Sequence, residues 1–188
     1  MNLALFENSH YTPGAPLAVQ ILWHFFGQPL VESRMLPFSG LKVLVLRSFG
    51  ADIGHNVRVK PGVRVKFPWR LKVGDFSWIG EDVWIDNLAE VRIGAHCCIS
   101  QGAYLCTGSH DWKQPSFDLQ TKPIYIENHA WVAARCVIAP GIVVAEGAVL
   151  ALGSVAISDL APWTIYLGNP AARIGSRPEQ KPMFSAEA

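Results

Sequence analysis

Six side chains of this sequence could exchange a proton near neutral pH: His10, His24, His55, His96, His110 and His129. An unperturbed imidazole has a pKa of about 6.5, so histidine suits general-base work under ordinary conditions. His110 differs from the others in its place. A regular spacing of aliphatic residues breaks directly after it, and long loops leaving a regular framework are where function collects. The four thiols, Cys97, Cys98, Cys106 and Cys136, form no CxxC pair. They read as small structural residues in a reducing compartment rather than disulfides or metal ligands.

The framework that must position His110 is a repeat. An aliphatic residue returns every sixth position at Ile53 and Val59, then at Val73, Ile79 and Ile85, then at Ile93, Ile99 and Leu105. After a gap the series resumes at Ile126, Val132, Ile138, Val144 and Leu150. Four positions after each aliphatic sits a compact residue, such as Val57, Ser77, Ala89, Cys97, Ser109, Ala130 or Cys136. A period of six fits neither a helix nor a simple hairpin. It fits a chain that turns a corner every six residues, with one short strand per side of a three-sided coil and stacked coils sharing one core.

Coil starts confirm the count: Ile53 to Val73 and Val73 to Ile93 are each twenty residues apart, and Ile126 to Val144 eighteen. From Ile93 to Ile126 is thirty-three, so about fifteen residues leave the coil beside His110. The predicted domains are a helical extension over 1–50, coils over 51–175 with a loop at 111–123, and a loose tail over 176–188. Two short helices are predicted at Pro16–Phe26 and Pro37–Phe49.

Composition narrows the classes. The 188 residues carry a formal net charge of +1 and are half hydrophobic. That balance excludes a nucleic-acid binder working by phosphate neutralisation. The longest apolar stretches, Val19–Phe26 and Leu41–Phe49, are too short to cross a bilayer. The amino-terminal residues lack the pattern of a secretory signal, so a cytoplasmic protein is expected.

The hexads resemble the hexapeptide-repeat acyltransferases, a family of left-handed parallel β-helices built on [LIV]-[GAED]-x-x-[STAV]-x. The likeness spans roughly Ile53 to Ile174, and LCTGSHD (105–111), WVA (131–133) and GNPA (168–171) resemble its exopolysaccharide branch, that of colanic acid synthesis. The resemblance implies an all-β, single-stranded, three-sided β-helix, a homotrimer, and transfer of acetyl from acetyl-CoA to a hydroxyl of a saccharide precursor. His110 takes the family's place of the general base. Trp131 takes that of a residue beside the acetyl and pantetheine end of the donor, and Ala133, Ala134, Ala151 and Leu152 those lining the pantetheine arm. Leu152 departs from the usual small residue there. Arg173, after GNPA, stands where a basic residue approaches the CoA phosphates. Backbone N–H groups on a coil edge would stabilise the oxyanion, with no covalent enzyme intermediate.

Other assignments stay open at this stage. Asp86 and Asn87, one coil before His110, could bind the acceptor together with Asp111, while Asn87 could equally be a turn residue at positive φ. Asp111 or Glu90 could orient the imidazole. Zinc-dependent relatives of the same fold use three histidines with a close pair, a spacing not found here past the amino-terminal segment, so no metal is expected. The rival functions are acetylation of another small acceptor, such as an antibiotic or an amino acid, and a non-catalytic scaffold. The amino-terminal helices read as a cap or subunit contact. Alternatively Trp23, Phe25 and Phe26 touch the inner membrane, where lipid-linked precursors reside.

Overall fold

The computed structural model describes residues 2–179 and winds the chain into a left-handed β-helix of about six turns. Three parallel sheets form its sides. The first runs through Ile53, Val73, Ile93, Ile126 and Val144, the second through Val59, Ile79, Ile99, Val132 and Leu150, and the third through Val65, Ile85, Leu105, Ile138 and Ala156. Each aliphatic lies directly above its counterpart twenty, eighteen or thirty-three residues earlier, and every one of them is buried. Their backbone groups bond to the turns above and below, so one column of side chains serves all three sheets.

The compact positions hold with two exceptions. Cys97 and Cys136 are buried, but Ala89 is half-buried and Ser109 exposed. In the longer turns two extra residues precede the first side, and they bring Leu71, Val91 and Ile124 inward as additional core. The phase shifts accordingly, and Asn87 and Thr107 take the inner corner instead. Polar side chains are tolerated there because both bond to backbone. Asn87 donates from Nδ2 to the Phe67 carbonyl and accepts the Phe67 N–H. Thr107 donates to the Asp86 carbonyl and accepts the Ala89 N–H.

A stacked sheet leaves unpaired backbone at its first turn, a template for unwanted pairing unless covered. Here the amino-terminal helices cover it. The first helix extends over residues 17–32, past the predicted end at Phe26, with a π-helical stretch at Trp23–Gly27. Pro29 cannot donate to an α-helical carbonyl four residues back, and the widened turn carries the helix past it. Trp23 Nε1 donates to the Val65 carbonyl, the Gly62 N–H bonds the Glu32 carbonyl, and Ser39 Oγ accepts the Val59 N–H. Arg47 donates to the carbonyls of Ile53 and Gly54. The second helix, Ser39–Ser48, is clamped to the first by the buried Lys42, whose ammonium donates to the carbonyls of Val31 and Ser33. Burial lowers the Lys42 pKa.

At the far end the chain reverses. Thr164–Gly168 continues the second sheet and pairs antiparallel with Ala171–Ser176, closing that edge. Ser176 therefore belongs to a strand, and the Arg177 N–H bonds the Trp163 carbonyl, which corrects the start of the predicted loose tail. Residues 180–188 lie outside the described residues.

Truncating the column tests how much the stack depends on it. Leu105→Ala removes a fully buried side chain and is expected to cost about 2–5 kcal/mol, read as a lowered denaturation midpoint with an unchanged slope in urea.

Candidate active site

The excursion after Leu105 is an ordered hairpin. Gly108–His110 pairs antiparallel with Leu119–Thr121, with His110 opposite Leu119. The tip is pinned by the Asp111 N–H on the Asp118 carbonyl and by Asp111 Oδ1 accepting the Lys113 N–H. The hairpin leaves the prism at the corner between the third side and the first.

His110 Nδ1 lies 2.8 Å from the Phe117 carbonyl oxygen, and the imidazole stacks on the Phe117 ring at 4.3 Å with 2° between planes. A carbonyl can only accept, so Nδ1 must carry the hydrogen. In the neutral ring Nε2 is then left with its lone pair, the state a general base requires. Neither candidate carboxylate does the orienting. Asp111 is occupied with the hairpin tip, and Glu90 accepts from Arg92 and lies 3.4 Å from Lys72. Burial raises the Glu90 pKa, but the Arg92 hydrogen bond and the attraction of Lys72 outweigh it, and the net shift is downward.

An amino-terminal strap, which the sequence did not announce, lies against the hairpin. The Asn2 N–H bonds the Pro115 carbonyl, His10 Nε2 lies 3.4 Å from the Leu119 carbonyl, and the Phe6 ring sits 5.9 Å from His110. Tyr11 donates to the Leu88 carbonyl, and Arg70 holds Tyr11 and the Thr12 carbonyl.

Two of the expected acceptor contacts change meaning. Asn87 is fully buried, with both polar atoms committed to Phe67, and its φ is not positive, so it is neither an acceptor ligand nor a left-handed turn residue. Its burial follows from the two-residue insertion that turns it inward. Asp86 is nearly buried, accepts from the Tyr104 hydroxyl at 3.0 Å and lies 3.0 Å from Lys66 Nζ. It belongs to a ladder on the third side. There Trp84 stacks on Tyr104 beneath the Arg64 guanidinium. Burial, the Cys106 thiol and Asp86 together push the Tyr104 pKa up, so the phenol stays protonated.

Most of the residues expected to hold the donor converge. Trp131, Ala133, Ala134, Ala151 and Leu152 line one groove of about 590 Å³ with Ser100, Gln101, Val149, Ile165 and Arg177. It follows the corner between the second and third sides. Trp131 is 46% exposed, and its Nε1 donates to Ser100 Oγ at 2.9 Å, which fixes the indole along the groove wall. Ala133, Ala134 and Ala151 keep the backbone accessible to a narrow ligand. Leu152 is exposed and adds an apolar lip. Arg173 is not among the lining residues; it faces Ser176 on the closing hairpin. Arg177 takes the groove position instead, held by the carbonyls of His129 and Gly147. Six residues beyond the motif, it carried no signal that separates it from an ordinary charged residue.

The thiols are structural in position. Burial pushes the Cys97 thiol up to about 11 and also raises that of Cys136, which keeps both protonated.

A narrow apolar groove with an exposed tryptophan fits a pantetheine arm, and an imidazole oriented through Nδ1 on a hairpin fits deprotonation of an alcohol. Comparison with known proteins agrees. No family model matches the sequence. The chain is 39% identical over 171 residues to WcaF of Escherichia coli strain K12, named for acetyl transfer in colanic acid biosynthesis; the alignment covers 88% of this chain and 91% of the relative. In fold it is similar to a hexapeptide-repeat acetyltransferase of Vibrio cholerae O1 biovar eltor solved with acetyl coenzyme A (TM-score 0.80, 22% identity, 93% of this chain and 97% of that one). It is also similar to a galactoside acetyltransferase solved with coenzyme A (TM-score 0.75, 20% identity, 85% and 80%).

Asn87→Ala strands the buried Phe67 N–H and carbonyl and is expected to cost about 1–3 kcal/mol of stability, with no change in KM for the acceptor.

Proposed function

This chain belongs to the hexapeptide-repeat acetyltransferases, and from that premise we propose that it carries acetyl from acetyl-CoA to a hydroxyl of a saccharide precursor of an exopolysaccharide, with His110 as general base. The observation that carries this reading is the Phe117 carbonyl on His110 Nδ1, which leaves Nε2 as the only basic ring nitrogen. Acetyl-CoA supplies the acyl group as an activated thioester. Nε2 takes the proton of the acceptor hydroxyl as its oxygen attacks. Trp131 and the alanine-lined floor hold the donor's arm, and Arg177 offers positive charge at one end of the groove. The relative's assignment to colanic acid biosynthesis supports a polysaccharide precursor as acceptor.

A trimer belongs to the same reading. The groove and the His110 hairpin leave the prism at different corners, separated by one side of about six residues, on the order of 20 Å. None of the groove's lining residues comes from the hairpin. Two protomers set side by side would bring the hairpin of one to the groove of the next, completing a site that each lacks alone.

Two substitutions separate the roles. His110→Ala is expected to lower kcat by about 10²- to 10⁴-fold with KM for acetyl-CoA little changed, followed by thiol release with a sugar panel as acceptors. Turnover equal to that of the unaltered protein would remove His110 from the mechanism. Trp131→Ala should instead raise KM for acetyl-CoA by about tenfold and leave the melting temperature within a few degrees, since the indole is half-exposed. An unchanged KM would move the donor elsewhere.

A further inference from the structure

We propose that the outer face of the amino-terminal helices docks this protein on an anionic lipid bilayer. Among the described residues, thirteen of the twenty-one exposed large apolar side chains fall within the first 44 residues. The first helix sorts its residues by face. Trp23, Gly27 and Val31 recur every fourth position and are buried against the first turn of the prism. Leu17, Ile21, Leu22, Phe25, Phe26 and Leu30 are turned outward, with Phe25 at 65% and Phe26 at 63% exposure. The widened π turn runs from Trp23 to Gly27, so these two buried residues are separated by one such turn. Leu41 and Leu44 extend the apolar exposure onto the neighbouring second helix. Trp23, expected among the exposed aromatics, is 2% exposed and belongs to the buried face. Covering the prism and meeting a second surface are therefore tasks of opposite faces of one helix.

Charge identifies the occupant. Residues 1–70 carry eight Lys and Arg against three Asp and Glu, whereas residues 71–188 carry eight against twelve. Part of that excess is taken up within the fold, because Lys42 is buried and Arg34 pairs with Asp82, and the cations left exposed lie beside the apolar face. The cations sit on the outer sides of the first turn rather than on the helices. Arg58, Lys60, Arg64 and Lys66 are exposed, and Arg64 and Lys66 share a groove of about 500 Å³ with Ile21 and Phe25. Lys66 is paired with Asp86, and Arg64 lies over Trp84. Exposed leucine and phenylalanine bordered by Lys and Arg match the acyl boundary and phosphate layer of an anionic membrane surface. No described helix is long and apolar enough to cross a membrane, so the contact is peripheral.

The proposal stands apart from the identity of the acceptor and is tested without it. The full chain is sedimented with phosphatidylethanolamine–phosphatidylglycerol vesicles and, separately, with phosphatidylcholine vesicles at physiological salt. Expected are cosedimentation with the anionic vesicles only, at least tenfold weaker partition for Phe25→Ser/Phe26→Ser, and weakened partition for Lys60→Gln/Arg64→Gln. The melting temperature and thiol release should be unchanged in both variants, because the substituted residues are exposed and none lines the donor groove or belongs to the His110 hairpin. Failure of the unaltered protein to sediment, equal binding to neutral vesicles, or equal partition of the aromatic variant would overturn the proposal. So would a changed oligomer mass of that variant in analytical ultracentrifugation, which would make the face a contact between copies.

Discussion

The inward column of aliphatic side chains is what the rest of this molecule hangs from. Each turn of the coil presents three of them, and no turn can bury its own set without the turns above and below. Because the column is continuous, the register survives interruption. After His110 and the hairpin, Ile126 returns directly above Ile93, and Ile138 above Leu105. The excursion can therefore carry chemistry without disturbing the frame. Its own antiparallel pairing makes it a rigid projection from that frame.

That rigidity bears on the base. A carboxylate partner brings a negative charge to an imidazole along with a hydrogen bond, whereas a backbone carbonyl fixes its orientation and tautomer. His110 has the second kind of partner. The neighbouring acids are withdrawn into other work, Asp111 in the hairpin tip, Glu90 with Arg92 and Lys72, and Asp86 with Lys66 and Tyr104. The strap with Phe6 and the stacked Phe117 shape an apolar surround for the ring.

The two ends of the stack solve the edge problem differently. At the far end the chain folds back as an antiparallel strand, which consumes the exposed ladder with backbone alone. At the near end side chains and helix carbonyls meet the first turn, through Trp23, Ser39, Arg47 and Glu32. Using a helix leaves its other face outside, and the apolar residues there are more than covering the edge requires.

The hexad spacing by itself determined the three-sided coil, its register across the interruption, the core, and the point where the hairpin leaves. A repeat is legible because each turn meets the same packing demand, so the same residue type returns at the same interval. Trp131 and the alanines were marked as a set by the family resemblance rather than by spacing, and the fold brings them to one groove. What spacing could not decide was the phase within an inserted corner. Two added residues shift which side chain faces inward, and so Asn87, open in sequence between acceptor ligand and turn residue, is a buried backbone clamp in space. Nor could it find Phe117 as the partner of His110, Arg177 at the groove, or the burial of Trp23 beside the exposure of Phe25 and Phe26. Those depend on contacts between segments distant in sequence or on the widening of one helical turn, and only tertiary packing selects them.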